Sequence, residues 1–152
     1  PLQVDFPTLL SFPAAKLLAY PRETVVAEKF EIMLRRGMLN SRLRDYYDIW
    51  LLSRSFDFTG LLLAEAVRKT CMHRNTPIVE RPLGLSPQFA EEVARQIQWN
   101  AFRRKSKLED APEDMLTLVH GVTAFLGPLA EALSQGVDFR YMWGPPGTWR
   151  RA

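Results

Sequence analysis

One segment, residues 20–51, constrains the fold more than any other part of the chain: YPRETVVAEKFEIMLRRGMLNSRLRDYYDIWL. Its pattern predicts two helices joined by a turn too short to let them separate. Lys29 and Arg36 lie on the first helix, and Asp45 and Asp48 lie on the second. Opposite charges beside apolar stripes either brace such a helical hairpin or form half of a polar site.

The composition predicts one globular domain with a buried core, because 47% of the 152 residues are apolar. The net charge of +3 is compatible with nucleotide or RNA contacts without being diagnostic of them. A single cysteine, Cys71, excludes an internal disulfide and favours a reducing compartment, so we expect a cytoplasmic protein. No apolar run reaches the ~20 residues that span a bilayer, and no signal peptide is visible, so we expect no membrane association.

Local signals set the limits of the hairpin. Pro21 favours a helix start, and Gly37 favours its end. Asn40 or Ser41 is a suitable N-cap for the second helix. A connection is expected at residues 56–60.

Three further helices are predicted after the hairpin. The third covers residues 60–72. The fourth begins with Ser86 as N-cap and Pro87 as first residue, and continues to about residue 103. The fifth covers residues 111–135, with a kink or split at Gly127–Pro128. The aromatic tail is expected to pack back over the helices through Trp143 and Trp149.

The resulting fold class is mainly α, with about five helices in a bundle-like domain and little sheet. Residues 1–19 contain three prolines and are interpreted as an extended linker, the exit from a missing N-terminal core. Residues 20–152 form the predicted helical domain.

The first helix of the hairpin places Lys29 at the edge of its buried stripe, while Glu28, Glu31 and Arg35 fall on the solvent side. Arg36 lies two turns further along the same face, about 10 Å away. Two cations at that spacing suit a polyphosphate. The alternative is structural: Lys29 pairs with a nearby carboxylate, and Arg36 complements the helix dipole.

The second helix places Asp45 and Asp48 three residues apart on one face. Such carboxylates can hold a divalent cation, activate a hydroxyl or orient a lysine. Again there is a structural alternative, in which Arg42–Asp45 and Arg44–Asp48 form local ion pairs of about 0.2–0.5 kcal/mol each. The flanking Tyr-Tyr and Ile-Trp pairs favour an acidic face that points into the hairpin.

The combination of AEKFEIMLRRG and NSRLRDYYDIW resembles the third and fourth motifs of the nucleotidyltransferase AbiEii toxin family, which comprises type IV toxin–antitoxin and abortive-infection proteins. The RNTP loop at residues 74–77, the Gln98–Trp99 pair, FLGPL and MWGPPGTW also resemble family segments. Arg44 stands where relatives often have lysine.

The resemblance implies roles for four residues. Lys29 would contact nucleotide phosphates and take part in catalysis, Arg36 would bind nucleotide, Asp45 would be the catalytic carboxylate, and Asp48 would assist nucleotide binding. The complete enzyme would use Mg²⁺ and an NTP substrate, and would transfer the nucleotide to an RNA, such as tRNA, or to a protein. A cognate antitoxin is the expected partner.

The sequence departs from the family pattern in one major respect. The glycine/serine motif and the following DxD pair, which bind metal and triphosphate in the family, do not occur in this sequence. Asp5 is interpreted as a linker residue. The chain therefore resembles the C-terminal helical half of such an enzyme, and we expect it to bind no metal and to be inactive alone. The alternative is a non-catalytic helical module that binds an antitoxin or RNA.

The remaining candidate site residues are explained better by structural roles. Cys71 and His73 lack the further ligands that zinc needs, and packing explains Cys71 better. His120 lies among apolar residues and is predicted to be packed. A basic run follows Trp99 and Phe102; it suits either the solvated end of a helix or contact with an RNA backbone. Its members are Arg103, Arg104, Lys105 and Lys107.

Overall fold

The computed structural model describes residues 21–145 and 147–152. Within these ranges the chain forms six α-helices and two short 3₁₀ turns, at Gly37–Leu39 and Leu83–Leu85. The predicted mainly helical class is confirmed, and the predicted linker at residues 1–19 lies outside the described residues. The helices are α1 (Arg22–Arg36), α2 (Leu43–Ser55), α3 (Gly60–His73), α4 (Pro87–Ala90), α5 (Val93–Ser106) and α6 (Met115–Ser134).

A small antiparallel sheet accompanies the helices, in the order β1-β2-β3. Its strands are β1 (Phe58–Thr59), β2 (Tyr141–Gly144) and β3 (Thr148–Arg151). Trp143 of β2 pairs with Phe58 on one side and with Trp149 on the other. Strand β1 was not predicted, and residues 56–60 were expected to form a connection. A strand of two residues is too short to show the alternation of apolar and polar residues that identifies strands in a sequence.

The aromatic tail packs onto the helices, as predicted. The indole N–H of Trp143 donates to the carbonyl of Ser53 at 2.6 Å, and that of Trp149 donates to the carbonyl of Phe125 at 2.8 Å. The Phe125 ring also lies 4.8 Å from the Trp143 ring. Both indoles, the buried one of Trp143 and the half-buried one of Trp149, therefore have the hydrogen-bond partner that their polar edge requires.

The predicted fourth helix is broken into α4 and α5. Ser86 caps α4 as expected, since its hydroxyl accepts from the amide of Phe89 at 3.2 Å, but Glu92 is extended and interrupts the helix. On one continuous helix, Phe89 and Arg95 would face different sides. The break allows the Arg95 guanidinium to lie 3.6 Å from the centre of the Phe89 ring.

Helix α6 begins later than predicted, because the carboxylate of Asp114 accepts from the amide of Thr117 at 3.0 Å and caps the helix there. The helix continues through Pro128 to Ser134, so of the predicted kink or split at Gly127–Pro128 the split is wrong, and the kink stays a prediction. The length and hydropathy of α6 also meet the criterion for a membrane span, contrary to our reading of the sequence. A core helix meets the same criterion, and eight residues of α6 are buried.

Helix α2 carries the acidic pair and lies against both α1 and α6. Its contact with α6 is close: a Cβ added at Gly121 would lie 2.8 Å from Cδ1 of Trp50. The lack of a side chain at Gly121 thus sets how closely α6 approaches the back of α2, while the opposite side of α2 faces Lys29.

Candidate functional site

Lys29 of α1 meets both acidic residues of α2 in the interior. Its Nζ atom lies 3.0 Å from Oδ1 of Asp45 and 3.0 Å from Oδ2 of Asp48. The Lys29 side chain is 4% exposed, and both aspartate side chains are fully buried. The structure therefore brings together three of the four predicted site residues.

The sequence explains this convergence. Val25, Val26, Phe30 and Met33 are buried on α1, and Lys29 is buried among them in the sequence. Asp45 and Asp48 are three positions apart and share the face of α2 that meets Lys29. Arg42 joins from the turn, with Nε 2.7 Å from the second oxygen of Asp45.

The four charged groups of this cluster balance: Lys29 and Arg42 offset Asp45 and Asp48. Removing one partner of a buried ion pair costs about 3–5 kcal/mol, because the other charge is left uncompensated. The cluster therefore braces the hairpin. One acceptor stays open, since Oδ1 of Asp48 is buried and accepts no hydrogen bond from the described residues.

Arg36 is not part of the cluster. It is exposed at the last position of α1 and forms no ion pair with the part of the chain that the structure describes. Seven residues separate it from Lys29, a rise of about 10 Å along the helix. A ligand that contacts both cations would have to extend from the surface to the edge of the buried cluster.

A second buried polar cluster was missed by the sequence analysis. Glu31 was predicted on the solvent side of α1, but its side chain is fully buried. It accepts from Nε of Arg35 at 2.8 Å and from the hydroxyl of Thr76 at 2.7 Å, and Nη1 of Arg74 lies 3.7 Å away. Burial alone would raise the pKa of Glu31, but these partners outweigh it and hold the pKa below its usual value.

The signal for this second cluster was present in the sequence. Glu31 and Arg35 have the i,i+4 spacing of a helical ion pair, and Arg74 and Thr76 belong to the RNTP loop. What the sequence did not reveal was that the loop folds back onto α1, because that contact joins residues 45 positions apart.

Arg95 was also missed, although it holds the turn between α1 and α2. Its Nη1 donates to the carbonyl of Asn40 at 2.6 Å, and its Nη2 donates to the carbonyl of Met38. The N-cap of α2 is Arg42, without a side-chain cap, so the prediction of Asn40 or Ser41 at that position is wrong. The Asn40 side chain instead accepts from the amide of Arg42 at 3.2 Å, in the turn just before α2. Arg95 thereby fixes the turn that leads to Asp45.

The exposure of the remaining candidate residues decides between the roles predicted for them. Cys71 packs in the core, where burial, together with the charge of Glu31, raises the pKa of its thiol to about 11. His120 is exposed, so the prediction of a packed histidine is wrong: it lies on the solvent side of α6. Of the basic run, Arg103 is half-buried and donates to Asn100, whereas its other members are exposed at the end of α5: Arg104, Lys105 and Lys107.

Comparison with protein families gives a match to the family described as nucleotidyl transferase AbiEii toxin, Type IV TA system, over residues 1–126. The chain belongs to this family. Comparisons with curated proteins and with solved structures gave no match. The AbiEii match includes both buried clusters but ends before MWGPPGTW, so the predicted family counterpart of that segment stays a prediction.

Membership of the AbiEii family implies nucleotidyl transfer, and Mg²⁺ is the metal expected for it. Asp45 and Asp48 do not fit Mg²⁺ as arranged, because the ammonium group of Lys29 lies between them at hydrogen-bonding distance from both. The described residues also contain no group of three or more histidine, cysteine, aspartate or glutamate side chains that could hold a metal ion. We assign no metal ligand to this cluster.

Proposed function

We propose that the chain supplies the phosphate-binding and carboxylate part of a nucleotidyltransferase site that acts on an NTP. The observation that carries the proposal is the meeting of Lys29 with Asp45 and Asp48 inside the segment matched to the AbiEii family. A lysine held between two carboxylates has its charge at a defined position, so little ordering is needed when a phosphate replaces one carboxylate.

In this proposal Lys29 changes partners when nucleotide binds. Its ammonium group moves from Asp45 to the oxygens of the triphosphate, while Arg36 binds the phosphates nearer the surface. This movement frees Oδ1 of Asp45, which now accepts a hydrogen bond from Lys29. Asp48 keeps the nucleotide-bound lysine in place through its own contact of 3.0 Å.

The freed carboxylate can then act as a general base. The hydroxyl oxygen of the acceptor bonds to the α-phosphorus, and its proton passes to Asp45. The bond from the α-phosphorus to its bridging oxygen breaks, and pyrophosphate leaves. Arg42 remains 2.7 Å from the other oxygen of Asp45 and keeps that carboxylate oriented.

Catalysis needs more than these residues. The glycine/serine motif and the DxD pair do not occur in this sequence, and Asp45 and Asp48 do not fit Mg²⁺. We therefore propose that other residues bind the metal, and that this chain alone binds nucleotide without transferring it. The acceptor, an RNA or a protein, would be cytoplasmic, and the Type IV family description suggests an antitoxin as partner.

A second candidate function is a non-catalytic helical module that binds an antitoxin or RNA. The observation in its favour is the balance of charge in the cluster, in which Lys29 and Arg42 offset Asp45 and Asp48 and brace the hairpin. In that case Lys29 never leaves its carboxylates, and nucleotide does not bind.

Calorimetric titration with each of the four NTPs in Mg²⁺ separates the two candidates. The decisive variant is Lys29→Met/Asp48→Leu, which removes one charge of each sign and leaves Asp45 paired with Arg42. Glu31→Gln is the matched control, because it changes a buried acid on the same helix outside the site. Binding by the wild type and the control but not by the double variant supports the transferase site; no binding by the wild type supports the module.

A further inference from the structure

Two open grooves lie along α6, and Glu131 lines both of them. The first has a volume of about 560 Å³ and lies between α6 and the segment of residues 80–88. The second has a volume of about 410 Å³ and lies between the end of α6 and the strands β2 and β3. We call them the loop groove and the sheet groove. Neither is lined by Lys29, Asp45 or Asp48, so both are separate from the proposed nucleotide site.

The loop groove has mainly apolar walls that are fixed to α6 at two points. The hydroxyl of Thr123 donates to the carbonyl of Leu85 at 3.1 Å, and the side-chain amide of Gln135, just after α6, donates to Glu80 at 3.0 Å. Gly127 leaves the floor open, since a Cβ there would meet Thr123 alone among the described residues, at 3.4 Å. Walls held in this way lose little freedom when a ligand enters. The apolar wall residues are Pro82, Leu83, Leu85 and Pro87.

The sheet groove is lined by three aromatic side chains: Phe139, Tyr141 and Trp149. The Phe139 ring is buried and lies 4.8 Å from each of the other two rings, which are only half-buried. The indole N–H of Trp149 donates to the carbonyl of Phe125, so the Trp149 ring is held in position. Partly exposed rings of this kind offer a fixed contact surface to an apolar side chain.

The charge between the two grooves is negative. The carboxylate of Glu131 is exposed, and no hydrogen bond or ion pair joins it to the described residues. Glu80 adds a second exposed carboxylate, against one cation, Arg81. Asp138 of the sheet groove is already paired with Arg140 at 3.1 Å. Glu131 also lies in the last turn of α6, where the helix dipole favours a cation.

We propose that the two grooves together bind an extended peptide segment of a partner protein, with a lysine or arginine over Glu131 and an apolar side chain in each groove. Gly127 and Gln135 are eight positions apart, a rise of about 12 Å. An extended peptide covers that distance with about four residues. Apolar contacts on both sides of an unpaired carboxylate therefore match a short segment in which apolar residues flank a basic one.

The test begins with a selection from random heptapeptides displayed on phage, with the full chain as the target. Enriched peptides are synthesised with a fluorescent label, and their affinities are measured by fluorescence anisotropy. Glu131→Lys reverses the charge between the grooves, and Gly127→Leu fills the floor of the loop groove. Glu109→Lys is the matched control, because it makes the same charge change at an exposed acid outside both grooves.

We expect the enriched peptides to contain lysine or arginine flanked by apolar residues. Glu131→Lys should bind them about tenfold more weakly or worse, because like charges then meet, while Glu109→Lys should match the wild type. Gly127→Leu should also bind more weakly, yet unfold at the same temperature as the wild type or above it, since leucine favours a helix more than glycine does. That combination separates a filled groove from a damaged fold.

The inference is overturned if no peptide is enriched, or if the enriched peptides lack a basic residue. It is also overturned if Glu131→Lys and Gly127→Leu bind the peptides as the wild type does, or if Glu131→Lys and Glu109→Lys weaken binding equally. None of these outcomes bears on the nucleotide site, because both grooves lie apart from Lys29 and its carboxylates.

Discussion

The ammonium nitrogen of Lys29 lies 3.0 Å from a carboxylate oxygen of Asp48, although the two residues are 19 positions apart in the chain. This contact, with its counterpart to Asp45, joins α1 to α2 in the interior. The brace for the hairpin and the cation that we propose for phosphate binding are therefore the same group, and charge-balanced substitutions separate the two roles.

Lys29→Ala should destabilise the protein by about 3–5 kcal/mol, because two buried carboxylates, Asp45 and Asp48, lose the ammonium group that contacts both. Lys29→Met/Asp48→Leu should be close to the wild type in stability, since it removes a buried pair and keeps the volume filled. Urea denaturation followed by circular dichroism measures both. Equal stability of Lys29→Ala and the wild type would show that the cluster does not brace the hairpin.

Glu31 should make the stability depend on pH in the acid range. Its hydrogen bonds with Arg35 and Thr76 hold the folded-state pKa below its usual value, so the unfolded chain binds a proton first as the pH falls, and the contribution of Glu31 is present at neutral pH and lost in acid. Glu31→Gln should therefore show a shallower loss of stability between pH 7 and pH 3 in urea denaturation. Asp114, whose pKa is also lowered by its contacts with Thr117, contributes equally to both proteins, so parallel curves would contradict the prediction.

Gly121→Ala should destabilise the contact between α6 and α2. The new Cβ would lie 2.8 Å from the Trp50 ring, and overpacking of this kind costs about 1–3 kcal/mol. Gly127→Ala in the same helix is the control. Among the described residues its Cβ would meet Thr123 alone, at 3.4 Å, so the better helix propensity of alanine should stabilise the protein by up to about 1 kcal/mol. Thermal unfolding should separate the two variants in opposite directions.

Cys71 should resist thiol reagents while the protein is folded. Its side chain is buried, and its pKa is raised to about 11, so little of the reactive thiolate exists at pH 8. The rate of reaction with a disulfide reagent at pH 8 should rise by more than about tenfold on unfolding in urea. A fast reaction in the native protein would mean that α3 opens readily near Cys71.

Much of the hairpin was predictable because its signals are local. Pro21 and Gly37 gave the limits of α1 to within one residue, and the spacing of Asp45 and Asp48 placed both on one face. The ion pair with Lys29 was also foreseen, as the structural alternative to phosphate binding. These features depend on helix period and capping, which act over a few residues.

The rest depended on contacts between distant parts of the chain. The burial of Glu31 follows from the return of the loop at Thr76, and the break before α5 allows Arg95 to reach the carbonyls of Met38 and Asn40. The pairing of Phe58 with Trp143 also joins residues that are far apart in the chain. Neither periodicity nor spacing carries information about such pairings. The sequence therefore predicted neither the burial of Glu31 nor the contacts of Arg95.

The most direct test of phosphate recognition by Lys29 is a series of calorimetric titrations with a nucleoside and its mono-, di- and triphosphates in Mg²⁺. The wild type should bind more tightly with each added phosphate, and this gain should disappear in Lys29→Met/Asp48→Leu while Glu31→Gln retains it. Equal affinity for the nucleoside and the triphosphate, or the same phosphate dependence in the double variant, would show that the buried cluster of Lys29, Asp45 and Asp48 only braces the hairpin.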